Sequence, residues 1–265
     1  MLIISCALYL EAKPLIEHFN LKPSLNAKGY KIFKNDSLKL IITGVGPTNA
    51  ASAIGYVFGR YQDKISSFVN IGIAGHKDLE IGTLVLADKI SQKGRKSFYP
   101  QFSFECKNIT KEVISIDEDE NTYPEDALYE MESFSSYEVA AKFLPLELIH
   151  SLKIVSDNKG KEAGTIDEKE VSSLIEKNLS GIEYILFEIE KIAVNFSNLQ
   201  NKDASSFFDN FHFTATERYQ LKMILSKLKT LSPDEIKAEQ FKGKSSQEII
   251  SKLKEKLLSK PLNTP

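Results

Sequence analysis

The stretch that decides the fold runs from Tyr129 to Asp157. It opens Tyr129-Glu130-Met131-Glu132-Ser133, passes through an apolar-periodic helical run, and closes on Leu152-Lys153-Ile154-Val155-Ser156-Asp157-Asn158. At one end carboxylates abut the apolar Ala127-Leu128-Tyr129; at the other a β-rich run stops abruptly at Ser-Asp. Open α/β sheets hold their chemistry at the carboxyl ends of strands. The pattern therefore predicts an α/β fold in which Glu132 and Asp157 face one pocket.

Working outward, Leu2 to Leu8 is nearly all apolar, as a central parallel strand covered on both faces would be. It runs into Tyr9-Leu10-Glu11-Ala12-Lys13-Pro14, where a proline is tolerated in the first turn of a helix. Glu11 thus sits at a strand-to-helix junction on the same sheet edge, either as a pocket carboxylate or as an acid favoured by the helix dipole. Lys31 to Lys34 and Leu38 to Ile42 form a hairpin pattern around Asn35-Asp36. The glycines of Thr43-Gly44-Val45-Gly46-Pro47 open a small-residue helix reaching about Phe58, and serve either a ligand approaching backbone N–H groups or a tight turn.

Phe68 to His76 and Gly82 to Asp88 read as two more strands, so the element order implies a sheet of mixed direction. His76 has no companion at metal-ligand spacing and reads as a turn residue or a ligand contact. Ser91 to Cys106, with Phe98, Tyr99, Phe102 and Phe104, is either a loop over a pocket or a hairpin packing its rings on the core. Val113 to Ile116 is a short strand, and Asp117 to Glu120 a solvated acidic turn.

After Asp157, Thr165-Ile166-Asp167-Glu168 reads as a capping box, and Val171 to Val194 as a long amphipathic helix closing a catalytic domain of residues 1–197. Asn198 to Asp209 reads as a linker. Thr214 with Glu217, Ser232-Pro233-Asp234-Glu235, and Ser245 with Glu248 then open helices of a small extension, residues 198–265, packed on the core or a dimer interface. The lysine series in Leu221 to Lys229 and Lys252 to Lys260 reads as the solvated face of these helices or as a surface for a partner or nucleic acid.

With 265 residues, 42% hydrophobic and 26% charged, the chain can bury a full core. A net charge of −2 gives no electrostatic footprint for nucleic acid or a membrane surface. Cys6 and Cys106 form no CxxC pair or disulfide framework, which fits the cytoplasm. The apolar N-terminal run is too short for an export signal and lacks a basic segment ahead of it. No ligand spacing implies a metal or redox cofactor.

Five short motifs now stand in order: Ala7-x-x-x-Glu11-Ala12; Thr43-Gly44-Val45-Gly46 with Asn49-Ala50-Ala51; Asn70-x-Gly72-x-Ala74-Gly75; Glu130-Met131-Glu132; and Val155-Ser156-Asp157. Together they resemble the nucleoside phosphorylase and nucleosidase superfamily, and within it the 5′-methylthioadenosine/S-adenosylhomocysteine nucleosidases, over roughly residues 1–195. The resemblance implies a three-layer α/β fold with a central mixed, partly barrel-like sheet flanked by helices, commonly a homodimer. It also implies that Glu11 activates water, that Met131 and Glu132 contact the ribose, and that Asp157 protonates the base at N7. Gly72, Ile73 and Ala74 would line the pocket, with Gly44, Glu130 and Ser156 among its substrate contacts. The chain departs from the pattern at Ile73, where a serine is common, in a shorter segment between Asp88 and Glu130, and in its helical extension.

The chemistry agrees with these assignments. N-glycosidic cleavage passes through an oxocarbenium-like ribose, which nearby negative charge stabilises, and the departing purine needs an acid. Asp157 equally suits a helix N-cap after a strand. A phosphorylase would favour arginine for its phosphate, yet no arginine precedes Arg60, and Glu11 would repel that anion. Water is the expected nucleophile. The expectation is a purine nucleoside hydrolase, with a phosphorolytic enzyme or a catalytically silent nucleoside-binding protein as alternatives.

Overall fold

The computed structural model describes residues 1–25, 27–61, 64–102, 104, 108–117, 122–159, 167–231 and 236–259. The elements follow as β1 (Leu2–Cys6), α1 (Tyr9–His18), β2 (Lys22–Pro23), β3 (Lys31–Lys34), β4 (Leu38–Ile42), α2 (Pro47–Tyr61), β5 (Ser67–His76) and β6 (Leu84–Gln92). Then come β7 (Ile109–Ser115), β8 (Leu128–Glu130), α3 (Ser133–Ala140), β9 (Ile149–Asp157), α4 (Glu168–Lys177), α5 (Leu179–Asn210), α6 (Ala215–Leu231) and α7 (Ser246–Leu258). By its contacts the chain divides into two compact units, Met1–Ala193 and Val194–Pro265.

The first unit is built on one mixed sheet of nine strands in the order β2-β3-β4-β1-β5-β8-β7-β6-β9, with β5 also pairing β9. That extra pairing joins β5, β8, β7, β6 and β9 into a ring, the partly closed barrel that the motifs implied. β1 lies parallel between β4 and β5 and is wholly buried, which is why its sequence is a continuous apolar run. Alternation along it separates two cores: Leu2, Ile4 and Cys6 join Leu15 of α1, Ile175 of α4 and Ile182 of α5, while Ile3 joins Ile54 and Phe58 of α2 and Phe134 of α3. Helices therefore cover both faces of the sheet.

Two details of β5 place the site. Its register against β9 slips between Ala74, opposite Val155, and Gly75, opposite Asp157, so Ser156 is a bulge residue. Such a bulge re-aims the side chains around it. At its end, His76 is not a turn residue but the last, buried residue of the strand, paired with Leu128: its Nδ1 accepts from the backbone N–H groups of Asp78 and Leu79, and Nε2 meets Asp126 Oδ1 at 3.1 Å.

Three local expectations are revised. The predicted helix Val171–Val194 is two helices, broken at Asn178, whose side-chain amide donates to the carbonyls of Gly82 and Leu174. The box that opens α4 is formed by Asp167 and Glu170; Thr165 lies outside the described residues. Asn198 to Asp209 is not a linker, because α5 continues unbroken to Asn210. Its polar composition hid Ala204 and Phe207, which are fully buried at helical spacing. The predicted opening at Ser232, Cys106 and most of the acidic turn after Asp117 fall outside the described residues. Of the aromatic segment, Phe98 pairs with Ile90 and packs on Phe134 and Tyr137, and Phe102 stacks on His150, as in the packing reading.

The second unit has its own core, including Phe207, Phe213, Leu221, Leu228, Ile249 and Leu253. The predicted caps are present: Thr214 with Glu217 opens α6, and Ser245 with Glu248 opens α7. Ser246 donates to Glu217 at 2.9 Å and ties the two helix starts together. Among the described residues no helix is long and apolar enough to cross a membrane.

Candidate active site

At the carboxyl ends of β1, β5 and β9 a cavity of about 230 Å³ brings together Glu11, Glu132 and Asp157. These carboxylates come from distant parts of the chain, and all are buried, with 3%, 7% and 5% of their surface exposed.

Glu11 occupies the first turn of α1 and does both things its position suggested. Its Oε2 accepts from the Leu8 backbone N–H at 2.9 Å, closing the helix start, and its Oε1 accepts from the Ile73 N–H at 3.0 Å on the neighbouring strand. Burial pushes its carboxyl above the usual range, against the opposing Lys153 charge and those backbone donors.

Glu132 stands between β8 and α3 and accepts from the Gly46 N–H at 2.7 Å. Gly46 has φ +94°, a left-handed conformation that glycine adopts without strain. The glycine turn thus presents an N–H to a carboxylate of the cavity. Burial, and then the negative charge of Glu130, raise the Glu132 carboxyl to about 7.

Asp157 is the last residue of β9, aimed by the bulge at Ser156. Its Oδ1 accepts from the Ser156 hydroxyl and its Oδ2 from the Tyr123 hydroxyl. Gly75 leaves room for this pair, since a Cβ there would stand 2.5 Å from Asp157 Oδ2 and 2.6 Å from the Tyr123 ring.

Of the remaining predicted residues, Met131, Glu130, Ser156, Ile73 and Ala74 line the same cavity. Gly72 and Gly44 do not. Gly72 lies behind Glu11, where a Cβ would be 2.7 Å from Oε1, and Gly44 is a turn residue with φ +85° packed on Asn49.

Two residues escaped the sequence reading. Lys153 is buried in β9 with Nζ 2.8 Å from Glu130 Oε2, both side chains at least 97% buried. Burial alone would lower its ammonium; Glu130, Glu132 and Glu11 outweigh this and hold it charged. Glu130 in turn is kept below the usual carboxylate range, because Lys153 and hydroxyl and backbone donors overcome its burial. The visible signal was a lysine inside an otherwise apolar strand. Tyr123, the second, is buried at φ +43° and had no sequence signal beyond standing before Pro124. Among the described residues no group of three or more His, Cys, Asp or Glu is arranged to hold a metal ion.

No family model matches the chain, and no curated protein matches it. Solved structures do. A 5′-methylthioadenosine/S-adenosylhomocysteine nucleosidase from S. pneumoniae, with a transition-state inhibitor, is 17% identical over 71% of this chain and 98% of its own, with a TM-score of 0.57. A putative nucleosidase of the same kind from Borrelia burgdorferi, bound to adenine, is 16% identical over 72% of this chain and 100% of its own, with a TM-score of 0.58. A futalosine hydrolase mutant from Helicobacter pylori is 16% identical over 71% and 98%, with a TM-score of 0.56. At this identity the likeness shows the fold, that of the nucleosidases, over 71–72% of the chain.

Proposed function

We propose that the protein hydrolyses the N-glycosidic bond of a purine nucleoside and releases the free base. The observation that carries this reading is the convergence of Glu11, Glu132 and Asp157 on one cavity, each buried and each on a separate element. As C1′–N9 breaks, the bonding pair leaves with the base, and Asp157 supplies a proton at N7 so that the purine departs neutral. Positive charge develops on the ribose; Glu132, accepting from the ribose hydroxyls, and the nearby carboxylates stabilise it. Water adds to C1′, and Glu11 takes its proton. The solved nucleosidases of the same fold support the assignment.

Water is favoured over phosphate as nucleophile. No arginine lines the cavity among the described residues, and Lys153, whose charge acts on Glu11 and Glu132, is engaged by Glu130. The same reading takes the protein as a cytoplasmic homodimer: the free thiol of Cys6 suits a reducing compartment, and light scattering tests the dimer.

The deciding experiment is chromatography of purine nucleosides, methylthioadenosine and adenosylhomocysteine included, incubated with and without phosphate. Free base plus free sugar, independent of phosphate, is expected; phosphate-dependent turnover would make the protein a phosphorylase, and tight binding without product a binding protein. Asp157→Asn should lower kcat by about a hundredfold to ten-thousandfold while the fold is kept. Wild-type turnover in that variant would remove Asp157 from the acid role.

A further inference from the structure

We propose that Tyr123 reads the 6-position of the base and fits the site to 6-oxopurines. The inference rests on the nucleoside reading above and concerns which purine that site takes.

N7 and the 6-substituent lie side by side on one edge of a purine: a 6-aminopurine shows an acceptor and a donor there, a 6-oxopurine two acceptors. A purine that offers N7 to the Asp157 carboxyl therefore offers its 6-substituent to whatever stands beside that carboxyl. What stands there is the Tyr123 hydroxyl, hydrogen-bonded to Oδ2 and lining the same cavity. Without it, a 6-oxo group would meet a carboxylate oxygen, two acceptors face to face in a buried site. With it, an O–H donor lies between them and can turn from Oδ2 to the oxo group.

The structure holds this donor in place at some cost. Tyr123 is 1% exposed and has φ +43°, a left-handed conformation that residues with a Cβ adopt only under strain. The backbone persists there because its surroundings fix it. The Tyr123 ring packs on Tyr129 at 5.7 Å, and the Tyr129 hydroxyl accepts from the Glu125 N–H at 3.0 Å. Asp126 is held by buried His76 on β5 and by Lys111 on β7. Gly75, with no side chain, admits the Tyr123 ring edge against Asp157. A ring that merely filled the core would need the glycine beneath it but not a hydroxyl at the carboxylate.

The test is calorimetric binding of three free bases, hypoxanthine, adenine and unsubstituted purine, to the wild-type protein and to Tyr123→Phe. Wild type should bind hypoxanthine at least tenfold more tightly than purine, and Tyr123→Phe should cut the hypoxanthine-to-adenine affinity ratio by at least tenfold. Equal affinity of wild type for hypoxanthine and purine, or a ratio that Tyr123→Phe leaves unmoved, would overturn the proposal. Wild type binding adenine as tightly as hypoxanthine would also overturn it, whether or not the variant folds. Base release from inosine, assayed separately, distinguishes the two readings: hypoxanthine selectivity without release would refute the hydrolase, and release without selectivity would refute the role of Tyr123.

Discussion

A Cβ built on Gly72 would stand 2.7 Å from Oε1 of Glu11 and 3.4 Å from Nζ of Lys153, closer to the carboxylate than packed atoms come. Glu11 cannot simply swing aside, because Leu8 and Ile73 hold its two oxygens. Gly72→Ala should therefore lower kcat/KM at least tenfold by displacing the proposed base, with a stability cost of about 1–3 kcal/mol from overpacking. Steady-state kinetics beside a urea melt checks it; unchanged kinetics would show that Glu11 is not needed where it stands.

Lys153 balances the carboxylates that surround it. Replacing it with methionine fills a similar volume but leaves Glu130 buried without its cation. The expected loss is about 3–5 kcal/mol in denaturant unfolding at neutral pH, because breaking a buried pair strands a charge. Lys153→Met with Glu130→Gln should recover much of that loss. A loss below about 1 kcal/mol in the single variant would mean that Glu130 accepts a proton instead.

How much of this was legible depends on how local the determinants were. β1 and β5 announce themselves as apolar runs, and the glycine turn and Val155-Ser156-Asp157 carry the likeness that implied the barrel, since each is a short contiguous pattern. Glu11 was legible as either a cap or a site residue and serves the cavity and the helix start together. Lys153 was not legible as an ion-pair centre, because its partner Glu130 lies on another strand and nothing near it in sequence marks the pairing. Tyr123 was invisible for the same reason: its role needs the β9 bulge and a glycine on β5. The supposed linker failed differently, for a stripe as sparse as Ala204 and Phe207 carries little periodic signal among polar neighbours.

His150 on β9 predicts an acid limb of stability. It is fully buried, its Nδ1 has no hydrogen-bond partner among the described residues, and burial lowers its imidazole from 6.5 to about 4. The unfolded chain therefore binds a proton that the folded one refuses between those two values. Stability from this group is complete above about pH 6.5 and falls as the pH drops towards 4, by roughly 3 kcal/mol in all. His150→Phe should flatten the melting temperature against pH across that window. An unchanged slope would assign the acid sensitivity elsewhere.

Glu132 predicts the opposite slope, and separates stability from activity. Its carboxyl is raised from 4.5 to about 7, so the folded protein holds this proton more tightly than the unfolded chain does. The stabilisation is complete below about pH 4.5 and is lost as the pH rises through 7, where a second charge must form beside Glu130. Glu132→Gln keeps an oxygen for the Gly46 N–H but never ionises. It should be more stable than wild type at pH 8, with the advantage shrinking as the pH falls and gone below about pH 4.5. Turnover should move the other way, since the ribose cation forming in the transition state loses an anion that stabilises it; kcat/KM at pH 8 should fall at least tenfold. A variant both more stable and fully active would show that the Glu132 charge serves the fold alone. One more stable and much slower would mean that the charge is kept for catalysis, at the expense of the fold.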